Sequence, residues 1–270
     1  MGHQVADPND REDFRDWIDT LPDPGWPNMP LTHITKAFTA QDVARRGRVE
    51  PNEVGPLASP LAYMFYGRPG YRVSGDGAIK VAAACPVCFV FDPSILSRAN
   101  TIHGFDTGAF GKRLYSHVML DEMNVSDFAV GSDIARPNKI IAKLYHTRAA
   151  YFDGDTSSVG APSSYAPEWN FLAQAYVQLL ASKGRNEPDD RVGSIEVAFA
   201  DPIPLKDALR AVVVPHSIWN DTDAAPWLQQ LRADGVEVLP YKFAPGKSPE
   251  HYFTLIEFEV RSLFEDWGHL

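Results

Sequence analysis

Three apolar segments of this chain each carry two or three hydrogen-bonding or ionisable residues: Leu31-Thr32-His33-Ile34-Thr35, Met64-Phe65-Tyr66-Gly67-Arg68 and Ser194-Ile195-Glu196-Val197. Each reads as buried strand, where an unpaired polar group costs roughly 1–3 kcal/mol. Such groups need partners from the fold or from a ligand. His33, Thr35, Tyr66, Arg68 and Glu196 are therefore the residues that most restrict what the chain can become.

The content of 44% hydrophobic and 11% aromatic residues over 270 positions is enough to build a real core, as one large domain or two small ones. No apolar run approaches the roughly eighteen residues of a membrane span, so no membrane partner is expected. The opening Met1-Gly2-His3-Gln4-Val5-Ala6 lacks the apolar stretch of a signal peptide, and a cytoplasmic protein is expected. A net charge of −10 argues against nonspecific binding of polyanions, which Lys and Arg drive by neutralising phosphates. Lys36, Arg45, Arg46, Arg48, Arg68 and Arg72 could still gather as a local basic patch, or be solvated surface charges.

The only cysteines, Cys85 and Cys88, are too few for a structural zinc site and sit in a strand-like run, so two buried core thiols are expected and no metal is assigned. Asp121, Glu122, Asp127 and the Asp153-Gly154-Asp155 loop do not follow a calcium-loop spacing. Neither a Gly-x-Gly-x-x-Gly loop nor a Walker sequence is present, which removes ordinary dinucleotide dehydrogenases and P-loop ATPases.

Hydrophobic periodicity predicts strands over 31–35, 62–66, 86–91, 194–200, 210–214 and 235–241, and helices over 40–46, 166–182, 224–233 and 249–264. Thr39 is read as the cap of the first of these helices and Gly47 as its C′ residue. In the second, Pro167 falls in the first turn and Gly184 closes it. The last begins with Ser248 as N-cap and Pro249 at the first helical position. Residues 1–30 form an acidic, Pro-rich N-terminal arm with a short helix near Phe14–Ile18, packed on the domain built from the rest of the chain. Residues 98–165 read as the least regular part.

The strand with His-x-Thr, the helix ending at Gly47 and the exit through Val49 and Pro51 resemble the opening motif of the DarT-type ADP-ribosyltransferases. The aromatic strand Tyr63-Met64-Phe65-Tyr66-Gly67-Arg68-Pro69-Gly70-Tyr71 is similar to that family's Arg-bearing strand and turn, although only Gly67 separates Tyr66 from Arg68 where the family usually has more residues. The stretch from Ser194 to His216 resembles the closing segment, in which a catalytic Glu starts a strand. All three occur in the family's order, across residues 31–245 in outline.

The resemblance implies an α+β, ADP-ribosyltransferase-like domain over residues 31–270, with two packed, mostly antiparallel sheets forming an NAD cleft flanked by helices. NAD would be a consumed substrate. Cleaving its nicotinamide–ribose bond builds oxocarbenium-like charge on the ribose, as in glycoside hydrolysis. Glu196 is then the catalytic carboxylate that stabilises this charge and takes the acceptor's proton, and Arg68 pairs with the pyrophosphate or polarises the acceptor. His33 would bond the adenosine ribose, Thr35 and Gly47 would belong to the same wall, and Tyr66 and Tyr71 would stack on nicotinamide. Single-stranded DNA or RNA is the implied acceptor, with a toxin or phage-defence role and an antitoxin protein as partner.

Each residue keeps a plainer alternative: His33 a satisfied core histidine, the tyrosines ordinary core aromatics, Arg68 a surface cation, Glu196 a strand-end residue paired to Arg191. At the level of function, the alternatives are a noncatalytic NAD or ADP-ribose sensor, an NAD glycohydrolase using water, and an RNA 2′-phosphotransfer enzyme.

Overall fold

The computed structural model describes residues 11–51, 53, 54, 57, 59–70, 77–182, 191–220 and 223–270. The strands are β1 (Leu31–Lys36), β2 (Arg48–Val49), β3 (Glu53–Val54), β4 (Pro60–Tyr66), β5 (Pro86–Phe91), β6 (Thr101–His103), β7 (Glu196–Phe199), β8 (Ile203–Pro204), β9 (Leu209–Pro215) and β10 (Glu237–Tyr241). The helices are α1 (Asp13–Thr20), α2 (Ala37–Arg46), α3 (Thr107–Gly111), α4 (Arg136–Leu144), α5 (Arg148–Phe152), α6 (Phe171–Ala181), α7 (Pro226–Ala233) and α8 (Pro249–Asp266). The class is mixed α+β with mostly antiparallel pairing. No helix among the described residues is long and apolar enough to cross a membrane.

The chain divides into two compact units, one of residues 1–28, 53–61 and 99–198, the other of residues 29–52, 62–98 and 199–270. In the second unit the strands run in the order β10-β9-β5-β1-β4. β10 lies parallel to β9, while β9–β5, β5–β1 and β1–β4 are antiparallel. Val87, Cys88, Phe89, Val90 and Phe91 of the central β5 are all buried, as are Ala211, Val212, Val213 and Val214 of β9, which is the continuous apolar reading of strands covered on both faces. α8 packs on β5, β9 and β10 through Tyr252, Ile256, Val260 and Phe264. A small antiparallel pair, β2 with β8, closes behind α2.

The first unit is built around aromatic side chains. Phe14 of α1 meets Phe128 and Tyr176 with ring centroids 5.5 and 5.0 Å apart, and Phe105 meets Phe128 at 5.2 Å. α1 packs on α4 and α6, so the helix expected near Phe14–Ile18 is present and sits in the core of this unit. β6 and β7 pair antiparallel, Thr101 with Ala198 and His103 with Glu196.

Several boundaries differ from the sequence reading. α2 begins at Ala37, with Lys36 in the cap position and Thr39 inside the first turn; Gly47 does end it, at φ 68°. α6 begins at Phe171 rather than near Pro167, because the Asn170 side chain caps it by accepting the Ala173 N–H at 3.0 Å. The expected stop at Gly184 lies outside the described residues. The stretch 98–165, read as irregular, holds β6, α3, α4 and α5.

Candidate functional site

The second unit holds five of the candidate residues from the sequence, His33, Thr35, Gly47, Tyr66 and Arg68. His33 and Thr35 lie two apart on β1 and share one face of it. The Nδ1 of His33 bonds the Tyr63 carbonyl oxygen at 2.9 Å, which makes Nδ1 the donor and leaves Nε2 as the acceptor. Burial holds the His33 ring below the ordinary histidine range, so it is neutral near pH 7. Tyr66, at the end of β4, is fully buried, and its hydroxyl accepts the Met29 N–H at 3.0 Å. Arg68 is only 1% exposed and is among the largest fully buried side chains, so it is not a surface cation.

The turn that inserts Arg68 depends on its neighbours. Gly67 has φ 67°, its N–H donates to the Pro30 carbonyl at 2.8 Å, and a Cβ there would meet Met29 Sδ at 2.6 Å. Thr32, fully buried on β1, donates from its hydroxyl to the Arg68 carbonyl at 2.7 Å. In the sequence Thr32 stands out only as part of a strand. Tyr71 and Arg72 lie outside the described residues.

Gly47 does a different job. Its left-handed conformation stops α2, and its carbonyl accepts the Leu205 N–H at 2.9 Å. It lines a groove of about 890 Å³ with Arg45, Lys206, Arg210, Trp227 and Asp234, none of which was a predicted site residue. Of the cations that could have gathered as a basic patch, Arg48 pairs with Glu50 at 2.6 Å and Arg45 approaches Asp42 at 3.9 Å, as solvated surface charges do.

Glu196 belongs to the first unit. It opens β7, where it is 4% exposed amid otherwise apolar positions. Thr107, fully buried at the start of α3, donates its hydroxyl to Glu196 Oε1 at 2.5 Å. α3 is fixed in turn by Asp106, whose carboxylate caps it by accepting the Ala109 N–H at 2.8 Å. The Gly104 carbonyl receives the Tyr176 hydroxyl at 3.0 Å, and a Cβ at Gly104 would collide with that ring at 2.9 Å. A short segment, His103 to Thr107, is thus anchored at both ends beside the carboxylate.

His103 stands opposite Glu196 on the neighbouring strand, 1% exposed, with burial pulling its ring down to about 4. His103, Asp106 and Thr107 were missed as site residues in the sequence. The usable signal was Phe105-Asp106-Thr107-Gly108-Ala109, in which an Asp ahead of small residues is an N-cap pattern.

The cysteines are both buried and unpaired as thiols; burial pushes Cys85 up to about 11 and Cys88 higher still. Among the described residues no group of three or more His, Cys, Asp or Glu is placed to hold a metal ion. No protein-family model matches the chain, and no curated protein matches it.

Proposed function

We propose that this chain is an NAD-dependent ADP-ribosyltransferase with the fold of that superfamily, acting in the cytoplasm on single-stranded nucleic acid in the manner of DarT-type enzymes. The observation that carries the reading is the state of Glu196: a carboxylate at the head of an apolar strand, withdrawn from water and oriented by the Thr107 hydroxyl. A carboxylate held in a low-dielectric setting discriminates between a neutral ribose and an oxocarbenium far better than a solvated one. A toxin role with an antitoxin partner follows from the same resemblance.

The family resemblance gives each residue a role. His33, with Nδ1 committed to Tyr63, offers Nε2 as an acceptor for a ribose hydroxyl, and Thr35 offers a hydroxyl on the same face. Arg68 supplies a permanent charge for the pyrophosphate. Glu196 stabilises positive charge on the ribose as nicotinamide leaves and takes the proton of the acceptor.

Nicotinamide release from NAD by the wild-type chain and by Glu196→Ala, each with and without single-stranded DNA or RNA, tests this. Turnover stimulated by one nucleic acid and lowered about 10²–10⁴-fold in the variant is the expected result. Equal release with no acceptor requirement would make the chain an NAD glycohydrolase. NAD binding by calorimetry with no release would make it a sensor.

A further inference from the structure

Both ring nitrogens of His103 are buried and have no hydrogen-bond partner among the described residues, although buried polar atoms are nearly always paired. The ring is not in a random place. His103 and Glu196 are directly registered partners on antiparallel β6 and β7, so their side chains lie on one face with Cβ atoms about 4.5–5.5 Å apart. A carboxyl and an imidazole rooted at that spacing are within a side-chain torsion of a hydrogen bond. We propose that His103 is a positioning residue for Glu196, exchanging with its carboxyl the proton that the transfer reaction releases.

The inference rests on the transferase reading. As the acceptor bonds to the ribose carbon, the bond to nicotinamide breaks and its electron pair leaves with nicotinamide. The acceptor's proton passes to the Glu196 carboxylate. From there it moves to a ring nitrogen of His103, restoring the carboxylate beside an imidazolium, and is lost to water at product release. The Thr107 hydroxyl holds Oε1 throughout.

Among the described residues of this unit, Ser194 Oγ and Asp127 Oδ1 are likewise buried without a hydrogen-bond partner, while other polar atoms are engaged. Asp106 is held at the head of α3, Asp127 is bound to Arg11 and to the Asn124 N–H, and the bridge partner of His103, Ala129, carries no charge. Tyr176 from α6 is committed to the Gly104 carbonyl.

The test is an NMR titration of the full chain, following the His103 ring and the Glu196 carboxyl in wild type, Glu196→Gln and His103→Phe. Two groups that share a proton titrate as a pair, and their coupling is reciprocal. Glu196→Gln is expected to move His103 downward by at least about one pH unit, and His103→Phe to move Glu196 upward by the same amount. Nicotinamide release by His103→Phe should fall about 10²-fold in kcat with KM for NAD little changed. Unmoved titrations in both variants overturn the proposal even where NAD is turned over. Glu196→Gln keeps an oxygen for Thr107, so the histidine arm remains decisive if His103→Phe does not fold. Reciprocal shifts in a chain that never releases nicotinamide would leave the pairing standing and overturn the transferase reading alone.

Discussion

Thr107 donates its hydroxyl to Glu196 across 2.5 Å, both side chains being withdrawn from solvent. A hydroxyl-to-carboxyl bond of that length is at the short end of its class, and in a buried setting it fixes the rotamer of the carboxyl. Thr107→Val keeps the shape and removes the donor. It should destabilise the fold by about 1–3 kcal/mol and lower nicotinamide release about tenfold or more, while Thr107→Ser retains both. Equal activity of the Val and Ser variants in a steady-state assay would show that the bond plays no part in turnover.

Burial of His103 has a consequence for acid stability whose sign is fixed. The folded ring binds its proton only near pH 4, against an ordinary value of 6.5, so the unfolded chain takes up the proton first as pH falls. Its contribution is complete above pH 6.5 and is lost progressively down to about pH 4, amounting to about 3 kcal/mol in all. His33 acts in the same direction. In urea titrations of wild type and His103→Phe between pH 7 and 4, the stability difference should shift against wild type by about 3 kcal/mol as the pH drops; a constant difference between the two would contradict the assignment.

Gly67 and Gly47 share nearly the same backbone angle, φ 67° and 68°, but not the same surroundings. A Cβ at Gly47 meets nothing within 4 Å, whereas one at Gly67 lies 2.6 Å from Met29 Sδ and 3.1 Å from Met29 Cβ. Gly47→Ala should cost only the strain of a left-handed residue, about 1 kcal/mol. Gly67→Ala should cost about 1–3 kcal/mol more and disturb the seat of Arg68, lowering NAD affinity measured by calorimetry. Identical losses in the two variants would mean that Met29 moves aside freely.

The strands were legible where the residues decide locally. β1, β4, β5, β9 and β10 are continuous apolar or alternating runs, and the structure places them within two residues of where the pattern does. Glu196 was legible for the same reason, as an acid that an apolar strand tolerates only when something holds it. Helix starts were less so, because a cap is chosen by geometry: Asn170 takes the role in α6 through one hydrogen bond that Pro167 could not supply. The region from 98 to 165 was opaque. β6 has three residues and α3 and α5 five each, too short to show a period. Their order comes from contacts between residues far apart in sequence, such as Phe14 with Phe128 and Tyr176 with Gly104. His103 and Thr107 depend on those contacts, which is why neither stood out as a site residue before the fold was known.

The same dependence makes the N-terminal arm part of that cluster's support. Phe14 is fully buried against Trp17, Phe128 and Tyr176, and Arg136 clamps Asp19 with two hydrogen bonds of 2.7 Å. Phe14→Ala empties the centre of this aromatic group and should cost about 3–5 kcal/mol. Tyr176 then loses a wall of its packing while its hydroxyl still carries the Gly104 carbonyl. The segment from His103 to Thr107 is expected to loosen, so that nicotinamide release falls more steeply with temperature than in wild type. Asp19→Asn, which weakens only an exposed ion pair, should leave both stability and turnover within about 1 kcal/mol and twofold of wild type. Hydrogen exchange at the amides of 103–107, faster in Phe14→Ala and unchanged in Asp19→Asn, is the reading that ties the arm to the site; equal protection in all three chains would separate them.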